Sequence, residues 1–287
     1  MKIAVLSGKG GTGKTLVSVN LAAAIAPSVY LDCDVEEPNG HLFFRPKSIQ
    51  REAVTVKIPA VDETKCNACR TCVEFCKFHA LAMVGTRWML FDDICHSCGG
   101  CTLLCPQQAL HEVEKSIGEI QTGTSEGVTV RTGWLDPGQS SGVPIIRKLF
   151  AAESPLDQPM IVDCPPGSAC IVMDSIRDAD YCILVAEPTL FGLHNLKMVH
   201  ELVRLFQKPH GVILNKCIEG DNPSKDYCLE QGITILESIP FDKTIGRLNS
   251  NGRILARELP QYHEMFTRLH QKIREVAGYE TAADSER

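Results

Sequence analysis

Short apolar runs alternate with stretches of helical periodicity along most of the chain. The first run, Ile3–Ser7, is followed by the glycine-rich segment Gly8–Gly13 and by a helical pattern over Lys14–Ala26. Later runs of the same kind are Val29–Asp32, Met160–Val162, Ile183–Ala186, Val212–Leu214 and Ile233–Ile239. Strands that alternate with helices form right-handed βαβ units. The pattern therefore predicts an α/β fold with a doubly wound, mostly parallel sheet.

Residues 59–114 interrupt this pattern with short segments that are dominated by cysteine. The chain has 14 cysteines in 287 residues, and eight of them lie in this segment. The sequence of residues 66–81 returns at residues 95–110, at a constant offset of 29 residues. Repeats of one supersecondary unit each bury a core between the copies. We therefore predict a first part of the α/β domain over 1–58, a small inserted α+β domain over 59–114, and the remainder of the α/β domain over 115–287.

Charge and hydropathy exclude several classes of function. The net charge is −6, which gives no basic face for nucleic acid. No apolar run approaches the roughly 18 residues of a membrane span, so we expect neither a nucleic-acid partner nor a membrane. The first residues lead directly into an apolar run and lack a signal-peptide pattern. Without secretion, many cysteines indicate metal or redox chemistry in a reducing compartment, and we expect a cytoplasmic protein.

A phosphate-binding loop lies between the first strand and the first helix. Residues 8–15, GKGGTGKT, satisfy the pattern GxxxxGK(S/T) in the strand–loop–helix context that the motif requires. Glycines let backbone N–H groups approach phosphates closely. Lys14 is expected at the β- and γ-phosphates and the Thr15 hydroxyl at Mg²⁺. The residues predicted to bind nucleotide in this loop are Gly8, Gly10, Gly11, Thr12, Gly13, Lys14 and Thr15.

Each copy of the internal repeat has the spacing CxxCxxCxxxC, which is the bacterial ferredoxin signature. Three closely spaced thiolates reach three corners of one 4Fe–4S cluster, and the fourth binds the other cluster. One predicted cluster takes Cys66, Cys69, Cys72 and Cys105, and the other takes Cys95, Cys98, Cys101 and Cys76. Zinc is the main competing metal, because CxxC pairs also build zinc sites.

Two further features of the cysteine segment concern its charge. Lys77 stands where the signature usually has the proline that Pro106 supplies in the second copy, and a cation there can tune a nearby cluster. Residues 59–114 contain seven acidic and four basic residues, a net charge of −3. An exposed acidic module favours a protein partner with a basic docking face.

The loop KGGTGKT carries a second lysine, Lys9, before Lys14. This deviant Walker A form resembles the MinD/ParA/Mrp-type P-loop ATPases, a group that includes the nitrogenase iron protein. The resemblance implies that Lys9 crosses a dimer interface to the phosphates of the other subunit. It thus implies an ATP-dependent homodimer, with a heterodimer of related ATPases as the alternative. The resemblance also implies ATP rather than GTP, and the lack of the aspartate of an NKxD motif in Asn215–Ile218 agrees with this.

Other motifs of this family follow in order, and the resemblance implies a role for each. In LDCD, Asp34 orients or activates the attacking water and Asp32 supports the Mg²⁺ shell. In IVDCPPG, Asp163 holds a water of the Mg²⁺ and Gly167 approaches the γ-phosphate through its N–H. Asn215 corresponds to the asparagine that reads adenine. The loop that begins at Pro240 is expected near the base. The expected catalytic residues are Lys9, Lys14, Asp34 and Asp163.

The resemblance extends to ATPases of this family that carry an inserted ferredoxin domain. It implies an ATP-hydrolysing dimer that drives the assembly or insertion of an iron–sulfur or other metal cofactor on a partner protein. Electron delivery to a partner, as by the nitrogenase iron protein, is the alternative, and a MinD/ParA-like positioning switch is a third possibility. The sequence does not name the partner or the metal. Cys170 lies shortly after IVDCPPG and is a candidate for a cluster between subunits, although no second cysteine forms a pair with it.

Overall fold

In the computed structural model, which describes residues 1–151 and 158–284, strands and helices alternate as the hydrophobic pattern predicts. The strands are β1 Lys2–Leu6, β2 Ser28–Asp32, β3 Lys47–Val61, β4 Leu81–Val84, β5 Arg87–Leu90, β6 Leu110–Ser125, β7 Val128–Leu135, β8 Met160–Asp163, β9 Tyr181–Ala186, β10 His210–Cys217 and β11 Ile235–Pro240. The helices are α1 Lys14–Ala24, α2 Gly40–Phe44, α3 Thr71–Phe75, α4 Gly100–Leu103, α5 Val143–Ala151, α6 Cys170–Ile176, α7 Leu190–Leu205, α8 Pro223–Glu230, α9 Lys243–Ser250, α10 Leu255–Glu258 and α11 Pro260–Asp284.

The central sheet has nine strands in the order β11-β10-β9-β1-β8-β2-β7-β6-β3. All neighbouring pairs from β11 to β7 are parallel, and β6 pairs antiparallel with both β7 and β3. Buried apolar side chains cover both faces of the sheet. One face packs on α5, α6 and α7, and the other packs on α1, α10 and α11. The predicted doubly wound, mostly parallel α/β fold is confirmed.

The parallel strands place the loops at their carboxyl ends along one edge of the sheet, where ligands bind in folds of this type. β1, β8 and β2 are neighbours, so the phosphate-binding loop, the IVDCPPG segment and the LDCD segment meet at this edge. No helix of the described residues is both long and apolar enough to cross a lipid bilayer.

The cysteine segment lies at the end of a long two-stranded ribbon. β3 and β6 have 15 and 16 residues and pair from Lys47 with Thr124 to Val61 with Leu110. The sequence pattern does not predict β3, because most of its side chains are exposed and no apolar run marks it. The predicted boundaries after residues 58 and 114 fall within these strands, and the division into three parts stays a prediction.

The internal repeat has a structural counterpart. Val61 pairs with Leu110, and Leu90 pairs with Leu81, so each residue of one pair lies 29 positions from a residue of the other. The left-handed backbone positions follow the same offset, in the pairs Ala68 and Ser97, Arg70 and Gly99, and His79 and Gln108. The two halves are therefore related by an approximate twofold axis, and they share a small core around Leu81, Cys101 and Leu110.

Candidate functional site

The phosphate-binding loop joins β1 to α1, and its glycines fit the space around it. Gly13 has a φ of 101°, in the left-handed region that favours glycine. A side chain at Gly13 would also collide with the amide of Asn215, and one at Gly8 would collide with the backbone of Asn195. Helix α1 begins at Lys14 directly after the loop. Its unpaired N–H groups and positive dipole end make the loop suited to an anion.

Lys14 is a buried cation enclosed by carboxylates. Its Nζ lies 2.9 Å from Oδ1 of Asp163 and 3.6 Å from Oδ2 of Asp34, and the side chain is 6% exposed. Burial alone lowers the pKa of Lys14, but the charges of Asp163 and Asp34 outweigh this effect and the pKa is raised. Lys14 therefore stays protonated at neutral pH and is available to an anionic ligand.

Three carboxylates, Asp32, Asp34 and Asp163, surround this one lysine. Asp32 accepts hydrogen bonds from the N–H groups of Gly40 at 2.8 Å and Asp34 at 3.3 Å. Burial and the nearby Asp163 raise the pKa of Asp32 to about 8, and burial raises that of Asp34 to about 6. A divalent cation bound here would offset the repulsion among these closely spaced carboxylates.

The donor set fits Mg²⁺ bound together with a nucleotide. Among the described residues, no group of three or more His, Cys, Asp or Glu side chains is arranged to hold a single metal ion. Mg²⁺ usually takes one or two protein groups together with phosphate oxygens and waters, and so does not need such a group. Thr15 is half-buried at the start of α1 and belongs to the same cavity wall as Lys14 and Asp34.

Tyr30 is a site residue that the sequence reasoning missed. It is fully buried in β2, and its hydroxyl donates a 2.9 Å hydrogen bond to Oδ2 of Asp163. The two oxygens of Asp163 are thus held by Tyr30 and Lys14, which fixes the carboxylate. Tyr30 and Asp32 lie two positions apart and so on one face of β2, and this spacing is the sequence signal that could have identified Tyr30 as a site residue.

We expect Tyr30→Phe to lower the free energy of unfolding by about 1–3 kcal/mol, because it leaves a buried carboxylate oxygen without its donor. Urea unfolding of the nucleotide-free protein measures this difference. Tyr262→Phe is the matched control, since Tyr262 is half-buried in α11 and no hydrogen bond of its hydroxyl is found among the described residues. An unchanged stability in Tyr30→Phe would contradict the assigned role.

Lys9 forms an ion pair with a residue of its own chain. Its Nζ lies 2.9 Å from Oε2 of Glu187, and Lys216 lies 2.6 Å from Oε1 of the same carboxylate. Lys216 also donates to the carbonyl of Gly11 at 2.7 Å, so this group is attached to the phosphate-binding loop. The sequence reasoning missed Glu187 and the contact of Lys216. The predicted contact of Lys9 with a second subunit stays a prediction.

A cavity of about 990 Å³ opens beside the phosphate-binding loop. Its walls include Lys14, Asp34, Pro165 and Asn251. Gly167 lies next to this cavity, where its N–H donates to the carbonyl of Ser7 at 2.9 Å.

The two residues predicted to contact adenine do not line that cavity. Asn215 is buried, and its amide donates to the carbonyl of Thr12 at 2.8 Å. Pro240 is exposed at the end of β11. The structure thus joins Asn215 to the phosphate-binding loop, and the adenine contacts of both residues stay a prediction.

The eight cysteines of the inserted segment line two separate cavities. The first cavity is lined by Cys66, Cys69, Cys72 and Cys105. The second is lined by Cys76, Cys95, Cys98 and Cys101. Each set combines three cysteines of one copy with the last cysteine of the other copy, which is the crossed arrangement predicted for two 4Fe–4S clusters. All eight thiols are free, and the N–H of Ala109 donates to Sγ of Cys105 at 3.3 Å. Four cysteines around each cavity match the number of thiolate ligands of a 4Fe–4S cluster, and the binding of clusters there stays a prediction.

The other six cysteines do not form a comparable set. Cys33, Cys164 and Cys182 are buried in one apolar cluster of the core, and burial raises the pKa of each thiol. Cys228 is buried and Cys217 is half-buried. Cys170 is exposed at the start of α6, and its proposed place between subunits stays a prediction.

Comparisons with known proteins agree with this geometry. The chain is 29% identical over 285 residues to an uncharacterized protein of Methanocaldococcus jannaschii, covering 96% of this chain and 97% of that protein. A stretch of 42 residues, 13% of this chain and 14% of the relative, is 60% identical to the iron-sulfur cluster carrier protein of Pyrococcus horikoshii. The fold is similar to that of the septum site-determining protein MinD of the same organism, solved with Mg-ADP, with a TM-score of 0.61, 18% identity and 97% coverage of each chain.

The model of one nucleotide-binding family matches residues 3–255, from β1 to the first residue of α10. This span contains the phosphate-binding loop, all three carboxylates around Lys14 and both cysteine cavities. The expected resemblance to MinD/ParA/Mrp-type proteins is confirmed, and the chain belongs to the CobQ/CobB/MinD/ParA nucleotide-binding domain family.

Proposed function

We propose that this protein is a Mg²⁺-dependent ATPase that binds two 4Fe–4S clusters and couples ATP turnover to the assembly or insertion of a metal–sulfur cofactor on a partner protein. The observation that carries the proposal is the presence, in one chain, of the Lys14 site and two cavities of four cysteines each. The stretch of similarity to an iron-sulfur cluster carrier protein supports the cofactor role.

Each residue of the nucleotide site has a defined task in this proposal. Lys14 exchanges its contacts with Asp163 and Asp34 for the β- and γ-phosphate oxygens. The Thr15 hydroxyl, Asp163 and Asp32 would hold Mg²⁺, which would neutralise part of the phosphate charge. Asp34 orients the attacking water by accepting a hydrogen bond from it.

Asp34 and Asp163, which lose their contacts with Lys14, each precede a segment that can respond to the bound nucleotide. Asp34 is followed by Val35, and Asp163 is followed by the Pro165–Gly167 segment, whose last N–H is held by Ser7. A γ-phosphate competes with the carbonyl of Ser7 for the N–H of Gly167. Binding and hydrolysis of ATP therefore change the positions of both segments.

The two crossed cysteine sets would hold the clusters. The clusters would either be transferred to the partner protein or donate electrons to it. Electron delivery is the second candidate function. It is favoured by the approximate twofold symmetry, which places two cysteine cavities side by side on one small core. Thiolate ligation requires a reducing compartment, and we therefore propose a cytoplasmic location.

A transfer experiment separates the two candidates. The full chain is loaded anaerobically with ⁵⁷Fe-labelled clusters, reduced with dithionite that is then removed, and mixed with an apo 4Fe–4S ferredoxin as the acceptor. We expect the label to move to the acceptor faster with Mg-ATP than with Mg-ADP. Reduction of an already loaded, oxidised ferredoxin without movement of the label would overturn cofactor assembly and support electron delivery. Absence of bound iron or of ATP hydrolysis would overturn both.

The same experiment tests Lys9. We expect Lys9→Ala to bind ATP as a monomer, because the cation that reaches the other subunit's phosphates is lost, and to lose the acceleration of transfer by ATP. Analytical ultracentrifugation with a non-hydrolysable ATP analogue measures the dimer. Lys47→Ala is the matched control, since Lys47 is exposed in β3 and no ion pair of its side chain is found in the described residues. Normal dimer formation by Lys9→Ala would contradict the role of Lys9.

A further inference from the structure

One loop contacts residues that line the cavity beside the phosphate-binding loop and a residue that lines one of the cysteine cavities. Residues 136–142 connect β7 to α5, and we call them the bridging loop. The loop begins where the N–H of Asp136 donates to the carbonyl of Ile117 in β6, at 2.9 Å. It ends at Gly142, whose carbonyl accepts the first hydrogen bonds of α5 from Ile145 and Ile146.

At the end of the bridging loop nearer the phosphate-binding loop, Gly142 packs against the segments that follow Asp34 and Asp163. A side chain at Gly142 would collide with Val35, and its Cβ would lie 3.1 Å from Cδ1 of Ile171. Val35 is the neighbour of Asp34, and Ile171 lies in the first turn of α6, after Gly167. The N–H of Leu135 also donates to the carbonyl of Val35 at 2.9 Å. A movement of either segment therefore changes the space that Gly142 occupies.

At the other end, the bridging loop contacts the second cysteine copy. The hydroxyl of Ser140 donates to the carbonyl of Cys95 at 3.2 Å. A groove of about 450 Å³ is shared by Cys95–Gly99 on one side and Gln139–Ser141 on the other. Cys95 and Cys98 belong to the cavity that also contains Cys76 and Cys101.

This contact breaks the symmetry of the inserted segment. Cys66 lies 29 positions before Cys95 and is its equivalent in the first copy. Neither cysteine cavity has a residue of the bridging loop among its walls, but the Ser140 hydrogen bond and the shared groove both lead to Cys95 and its neighbours, and no hydrogen bond from the loop to the Cys66 segment is found among the described residues. Two chemically equivalent sets of cysteines thus differ in their connection to the nucleotide site.

We propose that the bridging loop couples the nucleotide state to only one of the two clusters, the one held by Cys76, Cys95, Cys98 and Cys101. Packed interfaces of this kind shift between discrete arrangements, so a small movement of Val35 or Ile171 is carried through Gly142 to Ser140. Ser140 and Gly142 are positioning residues that act through the Cys95 segment. The inference rests on the proposed function, because it requires a bound nucleotide and two clusters.

Redox titration of the anaerobically loaded full chain, followed by electron paramagnetic resonance, tests the coupling. The two cluster signals are first assigned with Cys69→Ala and Cys98→Ala, each of which removes one of them. We expect a non-hydrolysable ATP analogue, compared with ADP, to shift the midpoint potential of the cluster that contains Cys98 and to leave the other unchanged. We expect Ser140→Ala and Gly142→Ala each to abolish that shift.

Controls separate this inference from the proposed function. Ser116→Ala is the matched variant, since Ser116 is exposed in β6 and no hydrogen bond of its side chain is found among the described residues; it should keep the full shift. Iron content and nucleotide affinity are measured for every variant. Missing iron or missing nucleotide binding in the unmodified chain overturns the proposed function. With both present, equal shifts of the two clusters, no shift, or a shift that persists in Ser140→Ala overturns the coupling.

Discussion

Lys14→Ala is expected to lower the rate of ATP hydrolysis by about 10²–10³-fold, which corresponds to about 3–4 kcal/mol of lost charge stabilisation in the transition state. The physical reason is that Lys14 is the buried cation of the site, 2.9 Å from Asp163 and 6% exposed. Steady-state phosphate release in the presence of Mg²⁺ measures the effect. A variant with normal hydrolysis would contradict the assignment of the site.

The same substitution has a second consequence without nucleotide. Removing one partner of a buried ion pair costs about 3–5 kcal/mol, because the remaining charge is left uncompensated. We therefore expect the free energy of unfolding of Lys14→Ala to fall, and Mg-ATP to restore less of it than in the unmodified chain. Lys272→Ala, an exposed lysine of α11, is the control and should change neither hydrolysis nor stability.

Pairs of cysteine substitutions are expected to reveal the crossed ligation by iron content alone. Two 4Fe–4S clusters correspond to about eight iron atoms per chain, and loss of one cluster leaves about four. Cys105 shares its cavity with Cys69, so Cys69→Ala combined with Cys105→Ala should still leave about four. Cys98 lines the other cavity, so Cys98→Ala combined with Cys105→Ala should leave almost none.

Uncrossed ligation predicts the reverse for these two double variants, which makes the comparison decisive. Iron is measured after anaerobic purification, together with the visible absorption of the clusters. Cys217→Ala is the control, because Cys217 is a free cysteine of β10 that lines neither cysteine cavity, and it should retain the iron of the unmodified chain. Equal iron in both double variants would contradict separate cavities.

Much of the site could be predicted because its residues belong to short local patterns. The phosphate-binding loop and the two cysteine copies are contiguous motifs, and the structure places Lys14 beside Asp34 and Asp163 as the strand order requires. Tyr30 could not be found in this way. Its partner Asp163 lies 133 positions away, on a neighbouring strand, and only the parallel pairing of β2 with β8 brings the two together.

Two other features were not predicted from the sequence, for related reasons. Strand β3 has mostly exposed side chains, so hydrophobic periodicity does not mark it, and its pairing with β6 across the whole inserted segment determines its length. Glu187 follows an apolar strand like many acidic residues, and its importance comes from the two lysines that converge on it from distant segments. Both features depend on contacts between segments that are distant in sequence, which local patterns do not reveal.

The ribbon of β3 and β6 also has a consequence for changes in chain length. Val61 and Leu110 are direct partners, so residues 62–109 begin and end at adjacent points, about 5 Å apart. Sites where the two chain ends are this close tolerate the insertion of whole domains. Residues can therefore be added to or removed from the tip of this ribbon without moving any strand beside the phosphate-binding loop.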